Sequence, residues 1–307
     1  MFRTRITGTA LAALVLLTLP TSSRADWPRD TNTGGVLVSG AAGNQTAPLA
    51  CPDGSGGTII AWTDTRSGTT DVYAQRLNSA GVAQWAANGG AVCTATGGQT
   101  LFGIIPDGAG GAVLCWTDTR NGNTDIYAQR INSNGLSLWA SQGVAVCTQT
   151  GTQDQLALCT DGAGGAILAW RDFRNPTSDI YAQRVTSAGA VAWSANGISL
   201  CSAADAQANP SLCEDGSGGA FIAWQDSRTL ASTSIDIYVQ HVASTGTLLL
   251  AVNGLASANS TGNQSEPKLV SDAVGGAMMA YSDDAGGTSD IFAQHVLANG
   301  TLGVIAS

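Results

Sequence analysis

Residues 107–130 read DGAGGAVLCWTDTRNGNTDIYAQR, and this stretch decides the fold because it recurs along the chain. Its opening, Asp-Gly-x-Gly-Gly, is repeated at spacings of 54, 54, 54 and 57 residues, starting at Asp53, Asp107, Asp161, Asp215 and, as DAVGG, Asp272. Each opening leads into an apolar run that ends in an aromatic residue, namely Trp62, Trp116, Trp170, Trp224 or Tyr281. The chain therefore contains five copies of one unit.

Three polar columns recur in the same copies. An aspartate follows the aromatic residue by two positions: Asp64, Asp118, Asp172, Asp226 and Asp283. Another aspartate opens a DIYAQR-like segment: Asp71, Asp125, Asp179, Asp236 and Asp290. A glutamine stands eight residues before each turn: Gln45, Gln99, Gln153, Gln207 and Gln264. Residues that recur once per copy are expected to build the repeat.

Each unit predicts four short β-strands. Runs rich in Val, Ile, Trp and Tyr are bounded by Gly, Asn and Asp, which is typical of strands. The glycines of DGxGG tolerate the positive φ of a tight hairpin turn, and the runs before the aromatic residue are apolar on both faces. Four-stranded repeats of this length indicate a β-propeller. We predict an all-β fold, a five-bladed β-propeller of four-stranded antiparallel blades, as a single domain over residues 26–307.

The two ends of the repeat array complement each other. Residues 35–52 match residues 89–106, the second half of a unit, and the last unit stops at Ser307, equivalent to Asn88. The N-terminal segment is therefore expected to lie beside residues 290–305 and to close the ring. Closure would remove a free sheet edge that invites aggregation.

Residues 1–25 resemble a secretory signal peptide. Arg3 and Arg5 precede an apolar run over residues 10–19, and Ser23 and Ala25 place small residues before a cleavage point. An N-terminal helix of the domain is the alternative. We expect a secreted protein, extracellular or periplasmic, with no membrane insertion of the mature chain because no other segment is long and apolar enough.

The charge balance argues against nucleic acid as a partner. The chain has 13 Lys+Arg against 22 Asp+Glu, a formal net charge of −9, and a single lysine, Lys268. Phosphate backbones are bound by clusters of Lys and Arg, which this chain lacks.

The DGxGG…AWxDxR…DIYAQR unit resembles blades of exported bacterial surface proteins of β-propeller type. The resemblance covers nearly all of the chain after the signal peptide. It implies a propeller fold and export, and it carries over no catalytic residue.

Candidate catalytic groups are few once the repeat columns are set aside. The acids that remain are Asp26, Asp30, Asp154, Asp205, Asp284, Glu214 and Glu266. A glycosidase needs a general acid and a second carboxylate in one site. The chain has only two glutamates, and one of them, Glu214, lies next to a hairpin turn, which argues against a glycosidase. His241 and His295 stand in the Arg column of DIYAQR, and no zinc motif or Ser-His-Asp set is evident. We predict no catalytic residue, metal or cofactor; calcium at the DGxGG turns stays open.

Seven cysteines follow the repeat. Two segments carry a cysteine at both of two positions, so the pairs Cys147–Cys159 and Cys201–Cys213 are candidate disulfides in an exported chain. Cys93–Cys115 is a further candidate pair. The alternative is a small buried apolar residue, because Ser, Ala, Ile and Val occupy the same positions in other copies.

Positions that break the repeat are the best candidates for ligand contact. Arg171 and Phe173 replace the threonines of earlier copies, Asp284 is peculiar to the last copy, and Arg174 is their repeat neighbour. The loop of residues 229–234 is three residues longer than its equivalents. The five repeat glutamines are expected either to border the channel mouth, with Phe102 nearby, or to bond backbone between blades.

We therefore expect a non-catalytic exported propeller that serves as a binding or surface-scaffold module for an unknown protein or glycan. One alternative is a lectin with one sugar site per blade, which would need exposed aromatic groups, whereas the Trp column of the apolar runs is expected to be buried. The other alternative is a carbohydrate-active enzyme with one central site.

Overall fold

The computed structural model describes residues 34–228 and 234–303. The predicted signal peptide lies outside these ranges, as does most of the long loop after Arg228. The described strands are β1 (Gln45–Pro52), β2 (Thr58–Asp64), β3 (Asp71–Leu77), β4 (Gly90–Cys93), β5 (Gln99–Pro106), β6 (Ala112–Asp118), β7 (Asp125–Ile131), β8 (Val144–Cys147), β9 (Gln153–Thr160), β10 (Ala166–Asp172), β11 (Asp179–Val185), β12 (Ile198–Cys201), β13 (Gln207–Glu214), β14 (Ala220–Asp226), β15 (Asp236–Val242), β16 (Leu255–Ala258), β17 (Gln264–Ser271), β18 (Ala277–Asp283) and β19 (Asp290–Val296).

These strands form five antiparallel sheets, which we call blades 1 to 5. Blades 1 to 4 each have four strands in sequence order, β1–β4, β5–β8, β9–β12 and β13–β16, and blade 5 contains β17–β19. The first strands of blades 2 to 5 each pack on the preceding blade. The predicted all-β fold of five antiparallel blades is confirmed. Within the described ranges, no helix is long and apolar enough to cross a membrane.

The tryptophans that end the apolar runs form the core between blades, as expected. Trp170 is fully buried, and its Nε1 donates a hydrogen bond of 2.7 Å to Oδ2 of Asp172. Gly197, at φ +89°, lies against the ring, and a Cβ there would stand 2.5 Å from Cη2 of Trp170. The glycine that recurs before each fourth strand, Gly89, Gly143, Gly197 or Gly254, is therefore required by the tryptophan that it covers.

The aspartate that follows each tryptophan anchors a buried ion pair. Nη2 of Arg174 lies 2.6 Å from Oδ2 of Asp172, donates to the carbonyl of Asn196, and its guanidinium stacks on Tyr181. In blade 1, burial disfavours the ionised form of Asp64, but hydrogen bonds from Arg66 and Trp62 outweigh it and lower the pKa of Asp64 to about 2. These contacts give the repeat aspartates a structural role.

The other two aspartate columns also serve the blade. In the DGxGG turn, Oδ1 of Asp161 accepts hydrogen bonds from the backbone of Ala163 and Gly165, and Oδ2 binds Arg184. In blades 4 and 5 a histidine takes the place of this arginine. His241 contacts Asp215 at 2.9 Å, and His295 contacts Asp272 at 2.8 Å. The column that opens the third strand binds loop side chains, as Asp179 accepts from Asn175.

The cysteines correct the candidate disulfides, because all seven are free and buried. Cys147 lies on β8, the last strand of blade 2, whereas Cys159 lies on β9, the first strand of blade 3. These strands occupy opposite edges of neighbouring sheets, and the same holds for Cys201 and Cys213. Sγ of Cys147 instead contacts Arg174 at 3.4 Å. The cysteines therefore act as small core residues.

We predict that the native protein resists thiol alkylation. Burial raises the pKa of Cys115 to about 12, so its thiolate is scarce at neutral pH. Mass spectrometry after iodoacetamide treatment should find no adduct on the native chain and seven on the denatured, unreduced chain. If the two candidate disulfides formed, only three thiols of the denatured chain would react.

The structure differs from the expected ring closure at blade 5. Among the described residues, β19 has no fourth strand beside it, and residues 36–39 form no sheet pairing. The segment is held on blade 1 instead, where the Gly40 amide donates to Asn88 Oδ1 at 2.8 Å and Arg66 Nη2 lies 3.4 Å from Ser39 Oγ. The predicted pairing with residues 290–305 is corrected accordingly.

Candidate functional site

Each inner strand, the first of its blade, carries a β-bulge. The register against the second strand shifts in β1, β5, β9, β13 and β17. Prolines stand in three of these bulges because proline cannot donate to a sheet ladder: Pro48, Pro210 and Pro267. The bulge residues Gln155, Asn209 and Glu266 have φ of 49°, 52° and 56°. Non-glycine residues held at positive φ cluster at functional sites.

The bulges of blades 2 to 5 line one cleft of about 450 Å³, which we call the central cleft. Its lining combines two amides, a carboxylate, an ammonium group and one half-exposed aromatic ring: Phe102, Gln155, Leu156, Asn209, Pro210, Glu266, Pro267 and Lys268. β-Bulges commonly aim side chains into functional sites. The second position after the repeat glutamine supplies Gln155, Asn209 and Glu266 in blades 3 to 5, whereas blade 2 contributes Phe102 from the third position, so the central cleft is asymmetric although the scaffold repeats.

The two amides are positioned by one hydrogen bond between blades 3 and 4 and by another within blade 4. The Asn209 backbone N–H donates to Oε1 of Gln155 at 2.7 Å, and Nδ2 of Asn209 donates to Oε1 of Gln225 on β14. Glu266 and Lys268 are exposed on β17. The central cleft therefore offers ordered amide groups beside a charged pair of opposite sign.

Arg171 and Phe173, predicted as ligand contacts, form a cluster beside this site. Arg171 makes two hydrogen bonds of 2.8 Å with Asp154, the residue directly before the Gln155 bulge. The guanidinium of Arg171 lies 4.8 Å from the ring centre of Phe173. Both partners of the ion pair are partly exposed, so the cluster is accessible to solvent.

Arg174 and Asp284 are occupied by contacts within the fold. Arg174 belongs to the ion pair with Asp172 described above. Asp284 accepts hydrogen bonds from the side chain and backbone of Asn263, and these lower the pKa of Asp284. Both residues tie a loop to its own blade.

The repeat glutamines do not border the central cleft, which corrects one of the two expectations for them. Gln99, Gln153, Gln207 and Gln264 are fully buried, and Gln45 is partly buried. Nε2 of Gln153 donates to the carbonyls of Gln149 and Gly151 in the connection from blade 2. The glutamines thus bond the crossing between blades, the other expectation.

Sequence reasoning missed Gln155, Asn209 and Lys268, and set Glu266 aside. The sequence does contain a signal for these site residues. The second position after each repeat glutamine differs between copies: Ala47, Leu101, Gln155, Asn209 and Glu266. A proline inside a predicted strand was a further signal, because it marks a bulge or an edge. In the described part of the chain, no three His, Cys, Asp or Glu side chains gather as they would around a metal ion.

Comparisons with known proteins show the fold. No family model matches the chain, and no curated protein matches it. A polysaccharide lyase of family PL25, an ulvan lyase, is similar with 13% identity and a TM-score of 0.50, over 84% of this chain and 72% of that one.

Two further solved structures have lower TM-scores. An α-L-arabinanase from Penicillium chrysogenum has 15% identity and a TM-score of 0.45, over 81% of this chain and 77% of that one. TolB from Agrobacterium tumefaciens has 16% identity and a TM-score of 0.44, over 87% of this chain and 82% of that one.

The similarity to the ulvan lyase corrects the expectation that the chain is not an enzyme. That expectation rested on the small number of carboxylates outside the repeat columns, but the lyase is a carbohydrate-active enzyme with the same type of fold. A fold alone does not assign an activity, so function must be argued from the site. The chain has a β-propeller-type fold, similar to that of the ulvan lyase.

Proposed function

We propose that the protein binds a carbohydrate chain in the central cleft. The observation that carries the proposal is the convergence of Gln155, Asn209, Glu266 and Lys268 from three blades in one open cleft of about 450 Å³. Ligand sites of this size combine apolar walls with a few placed polar groups.

The chemistry of the lining favours a sugar. Amide side chains offer both donors and acceptors, which match the hydroxyl groups of a glycan. Phe102 adds a half-exposed ring, and Pro210 and Pro267 add rigid apolar wall against which the C–H faces of a sugar can pack. The buried Trp170 and its equivalents are unavailable for stacking, which favours one central site over five repeated sites.

A second candidate function is cleavage of the bound glycan, and Glu266 in the cleft lining favours it. A carboxyl group placed beside a glycosidic bond can act as a general acid or base, which typically contributes about 10²–10⁴-fold to the rate. In this account the amides orient the chain, and Glu266 takes a proton from a sugar carbon while the neighbouring C–O bond breaks and a C=C bond forms; the departing oxygen receives a proton. Hydrolysis would need a second carboxylate, and Glu266 is the one carboxylate among the described residues of this lining.

The test of binding starts with a glycan array and continues with titration calorimetry on the strongest ligand. We expect Gln155→Ala and Asn209→Ala each to weaken binding about tenfold, because each removes a hydrogen-bonding group from the site. The control is a double change of Arg171 and Phe173 to Thr, which removes the cluster beside the central cleft and replaces no residue of its lining.

Two outcomes would contradict the proposal. One is the absence of any glycan ligand. The other is lost binding in the loop double variant with full binding in the cleft variants, which would favour the loop face. For the cleavage candidate, Glu266→Gln should lower turnover about a hundredfold or more while affinity stays within severalfold; unchanged turnover would exclude Glu266.

We further propose that the protein is exported and that residues 26–307 form its domain. The charged, apolar and small-residue order of residues 1–25 supports removal of a signal peptide. The resemblance of the repeat to blades of exported bacterial surface proteins supports the same destination.

A further inference from the structure

Blade 5 exposes a face that is buried in every other blade. Ile291 on β19 is 75% exposed, whereas its equivalents on the third strands are 0% exposed: Val72, Ile126, Ile180 and Ile237. Met278 on β18 is 49% exposed, and its equivalents are again 0% exposed: Ile59, Val113, Ile167 and Phe221. In blades 1 to 4 the first strand of the following blade packs at this place. Blade 5 therefore has the surface of an interface without its partner.

Blade 1 carries the counterpart of that missing partner. Its first strand, β1, is largely exposed, whereas the corresponding strands of later blades pack on a preceding blade. An apolar groove of about 350 Å³ lies on this side, lined mainly by Val36, Leu37, Val38, Pro48, Ile60 and Trp62. The exposed surfaces of blades 5 and 1 thus correspond to the two sides of an internal interface between neighbouring blades.

Residues 36–40 occupy the place of a fourth strand from a preceding blade. Between blades, the residue after the fourth strand donates its amide to a loop side chain of the next blade, as Thr148 does to Asn196 at 2.9 Å. The Gly40 amide makes the equivalent bond to Asn88 at 2.8 Å. Arg66 reaches Ser39 as Arg120 reaches Cys93. Blade 1 therefore presents a fourth strand to a blade that lacks one.

We propose that blade 5 docks onto blade 1 of a second copy of this chain, and that residues 36–39 of that copy become the fourth strand of blade 5. The pairing follows the internal register, in which Tyr73 faces Ala91 and Val72 faces Cys93. By that register Phe292 faces Leu37, and Ile291 faces Ser39, of the second copy. The contact is heterologous, so it builds a closed ring of copies or an open series.

The structure favours a second copy over the chain's own N-terminus. Residues 36–40 are bound to blade 1 through Asn88 and Arg66, while Ile291 stays three-quarters exposed in the same folded chain. Association would bury apolar surface on both faces and would satisfy the free backbone groups of the β19 edge.

A cysteine cross-link across the proposed register tests this assignment. Leu37→Cys and Phe292→Cys are made as separate variants, both at exposed positions, in full-length secreted protein. The native thiols are buried, so they give little background. The two variants, carrying different tags, are mixed under mild oxidation, and a chain with both changes is oxidised at high dilution. A Leu37→Cys and Leu136→Cys mixture is the matched control, since Leu136 is also exposed but lies on blade 2.

We expect a disulfide between tags in the first mixture and none in the control. Sedimentation should show association that rises with concentration, and Ile291→Asp should weaken it about tenfold or more, because the contact would bury an unpaired carboxylate. An internal disulfide in the diluted double variant without linkage in the mixture would overturn the proposal in favour of ring closure by the chain itself. A monomer without any cross-link would also overturn it.

Discussion

Replacing Trp170 by alanine is expected to lower the free energy of unfolding by about 3–5 kcal/mol. The ring is fully buried between blades 2 and 3, and Gly197, which lies against it, has no side chain that could fill the space left by the ring. The change also leaves Asp172 without the indole hydrogen bond. Urea denaturation followed by circular dichroism measures the loss. Leu136→Ala, at an exposed position, is the control and should stay within about 0.5 kcal/mol of wild type.

The same variant separates a core role from a sugar-binding role for the repeat tryptophans. If Trp170→Ala bound glycan poorly but unfolded at wild-type urea concentrations, the tryptophan column would form the binding sites. That result would favour a lectin with one sugar site per blade over binding in the central cleft.

Replacing Asp172 by alanine is expected to cost about 3–5 kcal/mol, because it leaves the Arg174 guanidinium without its carboxylate in a largely buried site. Asp154→Ala is a matched control, since it removes the same side chain from the partly exposed ion pair with Arg171. We expect that change to cost about 0–1 kcal/mol, because water and salt screen an exposed pair. Thermal or urea unfolding of both variants gives the comparison.

Equal losses in the two aspartate variants would contradict this account of the repeat. They would mean that the aspartate after each tryptophan stabilises the blade no more than a surface ion pair does. The repeat aspartates would then need another explanation, such as ligand contact.

The blades could be predicted from the sequence because the same pattern occurs five times. One copy of a strand pattern is ambiguous, but five copies with the same turn, aromatic residue and aspartates leave few alternatives. The strands begin and end at those marks, as β10 runs from Ala166 after the DGAGG turn to Asp172. The burial of Trp170 also followed from its place at the end of an apolar run.

The central cleft could not be predicted in the same way, because it depends on register shifts. Gln155 and Asn209 reach the site through bulges that interrupt the pairing of β9 and β13. The comparison of the copies looked for ligand contacts where residues differ between copies near the loops. It therefore favoured Arg171 and Phe173 over the bulge residues, which also differ between copies. A pattern of alternating strand positions does not reveal which residue a bulge turns toward the cleft.

The repeat glutamines were open to two interpretations. A polar residue that recurs in every copy is consistent with a ring at the channel mouth and with backbone bonding between blades. The amide of Gln153 satisfies two backbone carbonyls in a buried crossing. Sequence periodicity shows that a residue is needed in each blade, but the need is backbone bonding here.

Hydrogen–deuterium exchange with and without the glycan found on the array is the most direct test of the central claim. We predict slower exchange in the inner strands around Gln155, Asn209 and Glu266 when the glycan is bound, with unchanged exchange in the loops between second and third strands. Protection confined to the loops of residues 173–178 and 284–289, with the inner strands unaffected, would contradict the central cleft as the binding site.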